Sequence, residues 1–199
     1  MKSRFLIDAN LIRDMLSVTL LKALLSMECE FYVISDILLD LKKIVVPEVF
    51  CRIKNFNKLN IIDFEESLAD EIFDFYTSLS GKLTYSEASI IFYAKKNKFA
   101  ILSSDWNFLK IAKQYTSKVY NLLLVIEGMI RNGVLNFSQA AECLEEILKT
   151  NNCLPKKECE YALMKWESNQ KCRENGSSHF PTNRLLNMGY PNKAEESVR

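Results

Sequence analysis

The sequence predicts an α/β fold with a central parallel sheet. Short apolar runs at residues 4–7, 31–35 and 99–103 are each too short to form a helix, and each is followed by a stretch with helical spacing of its apolar residues. Such alternation is typical of a parallel sheet that is buried on both faces. We expect further strands at residues 59–64 and 118–121.

Helices are predicted around the later strands. Two of them, at residues 65–79 and 85–97, are separated by Gly81. Another is predicted from about residue 106 to 114, with Ser104 as its N-cap. The candidate inward positions of that helix are Phe108, Leu109, Ile111 and Ala112.

Beyond residue 120 the pattern becomes purely helical. Helices are expected at residues 122–132, at 136–149 with Ser138 as the N-cap, and from about residue 154 onward. The apolar run at residues 122–126 and Trp166 are interpreted as core, and the alternative is a dimer interface.

The composition changes near Ser168 to Asn, Ser, Gly, Pro and scattered charges. Such a segment cannot bury enough apolar surface to become ordered. We therefore predict an α/β domain at residues 1–120, a helical extension of the same domain at 121–167, and a flexible polar tail at 168–199.

Composition narrows the possible chemistry. With 26 Lys and Arg residues against 25 Asp and Glu residues, the chain has no bulk charge for binding nucleic acid, so any such contact would be a local patch. The six cysteines show no Cys-x-x-Cys spacing, and His179 is the only histidine. A zinc site or a Ser-His-Asp triad is therefore hard to assemble, and carboxylates, hydroxyls and amides must carry the chemistry.

Targeting signals and membrane segments are not expected. No signal peptide is recognised, so we expect free thiols and a cytoplasmic location. The apolar run at residues 122–126 is followed at once by Glu127 and Gly128, and it is far shorter than the roughly 20 residues of a membrane span.

Four acidic residues lie just past a predicted strand or in the opening turns of a helix. Asp8 and Asp105 follow strands, while Asp40 and Glu87 lie in early helical turns, and Asp36 is expected to be the N-cap of the helix that presents Asp40. Residues that follow parallel strands converge at one edge of the sheet. Because gathered carboxylates repel one another, their convergence predicts a site for a hard divalent cation.

The residues around these acids are similar to the motifs of a known family. They are Ile7-Asp8-Ala9-Asn10, Ser35-Asp36-Ile37-Leu38-Leu39-Asp40-Leu41, Leu83-Thr84-Tyr85-Ser86-Glu87-Ala88-Ser89-Ile90 and Ile101-Leu102-Ser103-Ser104-Asp105. In their order and approximate spacing they resemble the PIN-domain family of metal-dependent nucleases, which includes the VapC-type toxins. The resemblance covers about residues 4–166 and implies a three-layer α/β/α domain with C-terminal helices.

The resemblance also implies an activity: a ribonuclease that uses Mg²⁺ or Mn²⁺ to activate water against a phosphodiester. It implies that Ser103 orients the site, that Asn10 supports the first acid, and that the metal-binding acids are Asp8, Asp40, Glu87 and Asp105. Asp40 stands where the family usually has Glu, and Glu87 where it usually has Asp. An antitoxin protein that inserts a peptide into the acidic groove is the implied partner besides RNA, and a homodimer is a further expectation.

Each acid also has a purely structural interpretation. Asp8 and Asp105 precede helices and could be caps. Asp40 is spaced to pair with a lysine on its own helix. Thr84 and Glu87 match the Thr-x-x-Glu capping box.

Other functions remain open from the sequence. A PIN-like module without metal would be a binding scaffold, whereas a phosphatase with an aspartyl nucleophile would need an acid where Asn10 stands. Several lysines are either phosphate contacts or ordinary solvated residues: Lys95, Lys96, Lys98, Lys110, Lys113 and Lys118.

Overall fold

A computed structural model describes residues 2–174 of the chain, and in that range it contains five strands and ten helices. The strands are β1 (Arg4–Ile7), β2 (Glu30–Ile34), β3 (Leu59–Ile62), β4 (Ala100–Ser103) and β5 (Val119–Asn121). The helices are α1 (Ala9–Ser17), α2 (Leu21–Ser26), α3 (Ser35–Ile44), α4 (Pro47–Lys54), α5 (Glu66–Ser78), α6 (Tyr85–Asn97), α7 (Trp106–Ala112), α8 (Leu122–Arg131), α9 (Phe137–Thr150) and α10 (Lys156–Glu174).

The strands form one all-parallel sheet in the order β3-β2-β1-β4-β5. The chain therefore adds strands outward from β1 through β2 to β3. It then returns to the other side of β1 with β4 and adds β5 as the last strand of the sheet. The predicted α/β class with a central parallel sheet is confirmed.

Helices cover both faces of this sheet. α1 packs against α3 and α9, whereas α5 and α6 pack against each other and α6 lies on β2 and β4. Parallel crossovers are right-handed, so the reversal of direction after β3 places α5 and α6 on the face opposite α1. The result is a three-layer α/β/α arrangement, and α10 extends the layer of α1 by packing on α9.

The C-terminal helices share the hydrophobic core of the sheet. Leu122, Val125, Ile126 and Trp166 are all buried in one cluster with the strands, which confirms the core interpretation of these residues. All six cysteines are free, as expected. Within residues 2–174, no helix combines the length and apolar character that a bilayer crossing requires.

The predicted start of the tail at Ser168 is wrong. α10 continues to Glu174, because Gln170, Lys171 and Arg173 favour helix and no Gly or Pro interrupts the segment. The rest of the predicted tail lies outside the described residues.

Two predicted N-caps are displaced by neighbouring residues. Asp105, not Ser104, caps α7, because its carboxylate accepts hydrogen bonds from two backbone N–H groups of the first turn. Asn136, not Ser138, caps α9, since it forms a reciprocal capping box with Gln139.

The predicted N-cap of α3 is also wrong. The helix begins at Ser35, directly after β2, so Ile34 occupies the cap position and Asp36 lies inside the first turn. A carboxylate in the first turn still faces the positive end of the helix dipole.

Candidate functional site

Asp8 and Asp105 meet at the C-terminal edge of the sheet, where the chain connections diverge. β1 and β4 are adjacent, and the chain leaves β1 toward β2 but leaves β4 toward β5. Asp8 follows β1 directly, and its backbone N–H donates to the Leu102 carbonyl at 3.0 Å. In open α/β sheets such a switch point is where ligands bind.

Ser103 joins these two acids. Its hydroxyl donates to Asp8 Oδ2 at 2.7 Å, and its oxygen accepts the Asp105 backbone N–H at 3.0 Å. Asp8 and Ser103 are 3% and 0% exposed, so the hydrogen bond between them is shielded from solvent. The Ser103 hydroxyl therefore holds the Asp8 carboxylate in one orientation. The backbone N–H of Asp105 in turn fixes the Ser103 side chain.

The pKa of Asp8 is raised to about 6, chiefly because burial desolvates its carboxylate. The hydrogen bond from Ser103 lowers that pKa, the negative charge of Glu87 raises it, and contacts with the Ala9 backbone and the Asn10 side chain lower it. None of the ion pairs among the described residues includes Asp8. The Asp8 carboxylate is thus buried, feels the negative charge of Glu87, and has no cationic partner among the described residues.

Glu87 lies at the start of α6 and closes a capping box with Thr84. Its Oε2 accepts the Thr84 backbone N–H at 2.8 Å and the Thr84 hydroxyl at 3.0 Å, while its own N–H donates to the Thr84 hydroxyl oxygen at 3.2 Å. The capping interpretation is therefore confirmed. The capping box uses one carboxylate oxygen of Glu87. It also holds this carboxylate near enough to Asp8 to raise the pKa of Asp8.

Asp105 is likewise engaged as a helix cap. Its Oδ1 accepts the backbone N–H groups of Asn107 at 2.8 Å and Phe108 at 3.0 Å. The capping interpretation of this residue is confirmed as well. Its Oδ2 has no hydrogen-bond partner among the described residues.

Asp40 uses both carboxylate oxygens. Lys43 donates to Oδ1 at 2.8 Å, as the helical spacing predicted, and the Ser86 hydroxyl donates to Oδ2 at 2.7 Å. Desolvation alone would raise the pKa of Asp40, but the hydrogen bonds from Lys43 and Ser86 and the lysine charge lower it. Since Ser86 precedes Glu87, this contact ties α3 to the start of α6.

The four acids are linked in pairs rather than gathered at one point. Asp8 is coupled to Glu87 by charge and to the Asp105 backbone through Ser103, and Asp40 reaches the residue beside Glu87. Across residues 2–174, no three acidic, histidine or cysteine side chains form a group that could hold a metal ion as they stand. The sharing of one ion by all four acids stays a prediction.

The side chains of Asp8 and Glu87 carry carboxylate oxygens, which are the kind of ligand that Mg²⁺ and Mn²⁺ prefer. Mg²⁺ takes oxygen ligands, keeps several waters, and is commonly held by only one or two carboxylates together with substrate phosphates. The buried Asp8 carboxylate has a raised affinity for a proton, and a cation beside it would relieve the same electrostatic cost. The second oxygen of Glu87 remains without a described partner.

Three residues near the site were not predicted from the sequence to be functional. Ser86 links Asp40 to α6, and Asn121 ends β5 in register with Ser103. The Ser104 hydroxyl is buried without a hydrogen-bond partner in the described structure. Only the position of Asn121 at a strand end was a signal available in the sequence.

Comparisons with known proteins do not identify a family for this chain. No family model matches it, and no curated protein matches it. Its structure is similar to the crystal structure of PAE2754 from Pyrobaculum aerophilum, with 12% identity and a TM-score of 0.46 over 63% of this chain and 88% of that chain. A similarity this weak supports no statement about function, so the resemblance to PIN domains stays a prediction.

Proposed function

We propose that this protein is a ribonuclease that depends on Mg²⁺ or Mn²⁺ and that Asp8 is the centre of its active site. The observation that supports the proposal best is the state of Asp8. Its carboxylate is buried at the switch point of the sheet, within range of the negative charge of Glu87 and without a described ion-pair partner. A buried carboxylate with no counter-charge reduces stability, so a cation-binding function would explain its presence.

In the proposed mechanism Asp8 and Glu87 would hold the metal, and Asp105 is linked to Asp8 through Ser103. The bound ion would lower the pKa of a water molecule and stabilise charge on the phosphodiester. Ser103 keeps the Asp8 carboxylate oriented through its 2.7 Å hydrogen bond. Glu87 and Asp105 each use one carboxylate oxygen to cap a helix. The second oxygen of each residue would then bind the ion or orient water.

Asp40 has a different place in this proposal. Both of its oxygens accept hydrogen bonds, so it would bind an ion directly only if Lys43 or Ser86 moved away. Its contact with Ser86 instead makes it a positioning residue for the Glu87 end of α6.

The choice of RNA as substrate follows from the motif resemblance. The same is true of a toxin role in which an antitoxin peptide fills the acidic cleft, of a homodimer, and of a cytoplasmic location. Neighbouring genes would test the toxin role, because an antitoxin would be encoded alongside.

A second candidate function is a PIN-like scaffold that binds no metal. The observation in its favour is that three of the four acids have contacts that require no ion. Glu87 and Asp105 cap helices, and Asp40 pairs with Lys43.

Titration calorimetry with Mn²⁺ and an RNA cleavage assay separate the two candidates. The ribonuclease proposal expects Mn²⁺ binding and cleavage by the wild type, loss of both in Asp8→Asn, and no cleavage in EDTA. The matched control is Asp74→Asn, the same chemical change at an exposed position of α5. A wild-type protein that binds no Mn²⁺ would favour the scaffold, and cleavage that persists in EDTA would refute the metal mechanism.

A further inference from the structure

A groove opens between α7, β5 and α8, at the same edge of the sheet as Asp8. Its apolar wall consists of Trp106, Leu109, Val119 and Leu124. Trp106 and Leu124 are half-buried, so part of each side chain remains accessible from the groove. The wall therefore offers an aromatic ring with aliphatic side chains beside it.

The groove continues the candidate site along the edge of the sheet. Trp106 follows Asp105 in sequence, and Asn121, which also lines the groove, pairs in register with Ser103. Neighbouring strands lie about 4.8 Å apart, so the end of β5 is about 10 Å from the end of β1. An RNA strand whose scissile phosphodiester lies at Asp8 would therefore place a neighbouring nucleotide in the groove.

Asn121 provides an oriented donor in the groove. Its Oδ1 accepts the Leu124 backbone N–H at 3.0 Å, which fixes the side chain as the cap of α8. The side-chain NH₂ has no partner among the described residues, although Asn121 is only 7% exposed. Such a donor suits a carbonyl oxygen or ring nitrogen of a base.

Lys110 and Lys113 give the groove its charge. They are three residues apart at the end of α7 and therefore lie on one side of it. Both are exposed, and neither belongs to an ion pair of the described residues. Two lysines without acidic partners are complementary to the phosphates of a nucleic acid.

We propose that this groove binds single-stranded RNA, with a base stacked on Trp106 and hydrogen-bonded to Asn121 and the adjoining phosphates at Lys110 and Lys113. The assignment rests on the proposed ribonuclease function and extends it to the nucleotide beside the scissile bond. Stacking on an aromatic side chain suits single strands, because their bases are exposed.

Fluorescence anisotropy with a short fluorescein-labelled oligouridine tests the proposal, with Asp8→Asn as the background to prevent cleavage. Trp106→Ala should weaken binding by about 5-fold to 100-fold, whereas Trp106→Phe, which keeps an aromatic face, should retain most of the affinity. Lys110→Ala with Lys113→Ala should reduce the slope of log affinity against log salt by about 1.4. The control, Lys156→Ala with Lys157→Ala, removes the same charge from exposed positions of α10 and should leave both quantities unchanged.

Three outcomes would overturn the assignment. They are full affinity in Trp106→Ala, equal losses in the two double-lysine variants, and binding of base-free polyphosphate as tight as that of oligouridine. If Trp106→Ala does not fold, Trp106→Phe takes its place in the test. A loss of affinity in Trp106→Phe as large as that in the double variant Lys110→Ala with Lys113→Ala would also refute the stacking role. The ribonuclease proposal fails separately, when wild type with Mn²⁺ cleaves no RNA although oligouridine binding still depends on Trp106.

Discussion

At the scale of single residues, Asp8 shows which of two opposing effects dominates. Hydrogen bonds from Ser103, Ala9 and Asn10 favour its ionised form, whereas burial and the charge of Glu87 disfavour it. Because the pKa rises from 3.8 to about 6, burial dominates. The shift corresponds to about 3 kcal/mol of lost stability when Asp8 is ionised.

This shift predicts a pH dependence for Asp8→Asn. Between pH 3.8 and about 6 the folded protein binds more protons at this residue than the unfolded chain does, so the contribution of Asp8 to stability is greatest at low pH and is lost as the pH rises through about 6. In metal-free buffer Asp8→Asn should therefore gain stability relative to wild type as the pH increases, up to about 3 kcal/mol above pH 7. Urea unfolding from pH 4 to 8 measures the difference.

The difference in stability between Asp8→Asn and wild type cancels the contributions of most other titrating groups. One of these groups is Asp36, whose pKa is raised by burial and by its acidic neighbours. A constant difference at all pH values would contradict the assignment. A large loss of stability in Asp8→Asn would instead indicate a structural role for this carboxylate.

Asp105 allows the capping and metal roles to be separated. Asn caps helices about as well as Asp, whereas Ala costs about 1 kcal/mol. Asp105→Asn should therefore keep the stability of wild type and abolish RNA cleavage, while Asp105→Ala should lose both. Cleavage by Asp105→Asn at the wild-type rate would show that Asp105 acts only as a helix cap.

The positions of Asp8, Ser103 and Asp105 could be predicted because parallel strands bring their C-terminal ends to one edge. Their hydrogen bonds could not. The contact between Asp40 and Ser86 joins residues 46 positions apart, and it depends on how closely α3 approaches α6. No local pattern in the sequence specifies that approach.

At the scale of elements, local hydrogen bonding decides where the helices begin. The Thr84 capping box was evident in the sequence because its two members are three residues apart. The N-cap of α7 was predicted one residue too early, since Ser104 and Asp105 are both good caps and burial of the Ser104 hydroxyl selects between them. α4 was not predicted, although Pro47 in its first turn was an available signal.

The start of α6 gives an element-scale prediction. Gln can replace Glu in a capping box, so Glu87→Gln should preserve helix capping while removing the charge that raises the pKa of Asp8. We expect a lower Asp8 pKa, stability within about 0.5 kcal/mol of wild type or higher, and much weaker Mn²⁺ binding. Calorimetry and urea unfolding test these effects, and Glu87→Ala, which also loses the cap, is the comparison. Unchanged Mn²⁺ affinity in Glu87→Gln would exclude Glu87 as a ligand.

At the scale of the whole molecule, the C-terminal helices are joined to the α/β layers by polar contacts as well as by the core. Asp14 of α1 accepts a hydrogen bond from the Asn151 side chain at 2.6 Å, and both residues are buried. The apolar pattern of the sequence predicted that these helices belong to the same domain. It could not predict this pair, because its members are 137 positions apart.

The pair predicts that the molecule unfolds as one unit. Asp14→Ala leaves the buried Asn151 amide without its partner, which should cost about 1–3 kcal/mol, and a double-mutant cycle with Asn151→Ala should give a coupling of about 0.5–3 kcal/mol. Asp74→Ala on the exposed face of α5 is the control. Because Trp166 is buried in the common core, its fluorescence in a Trp106→Phe background and the far-UV circular dichroism should report the same urea midpoint, both with Asp14 present and in Asp14→Ala. Separate midpoints would mean that α8–α10 unfold independently, and the site at Asp8 would then not depend on them through α1.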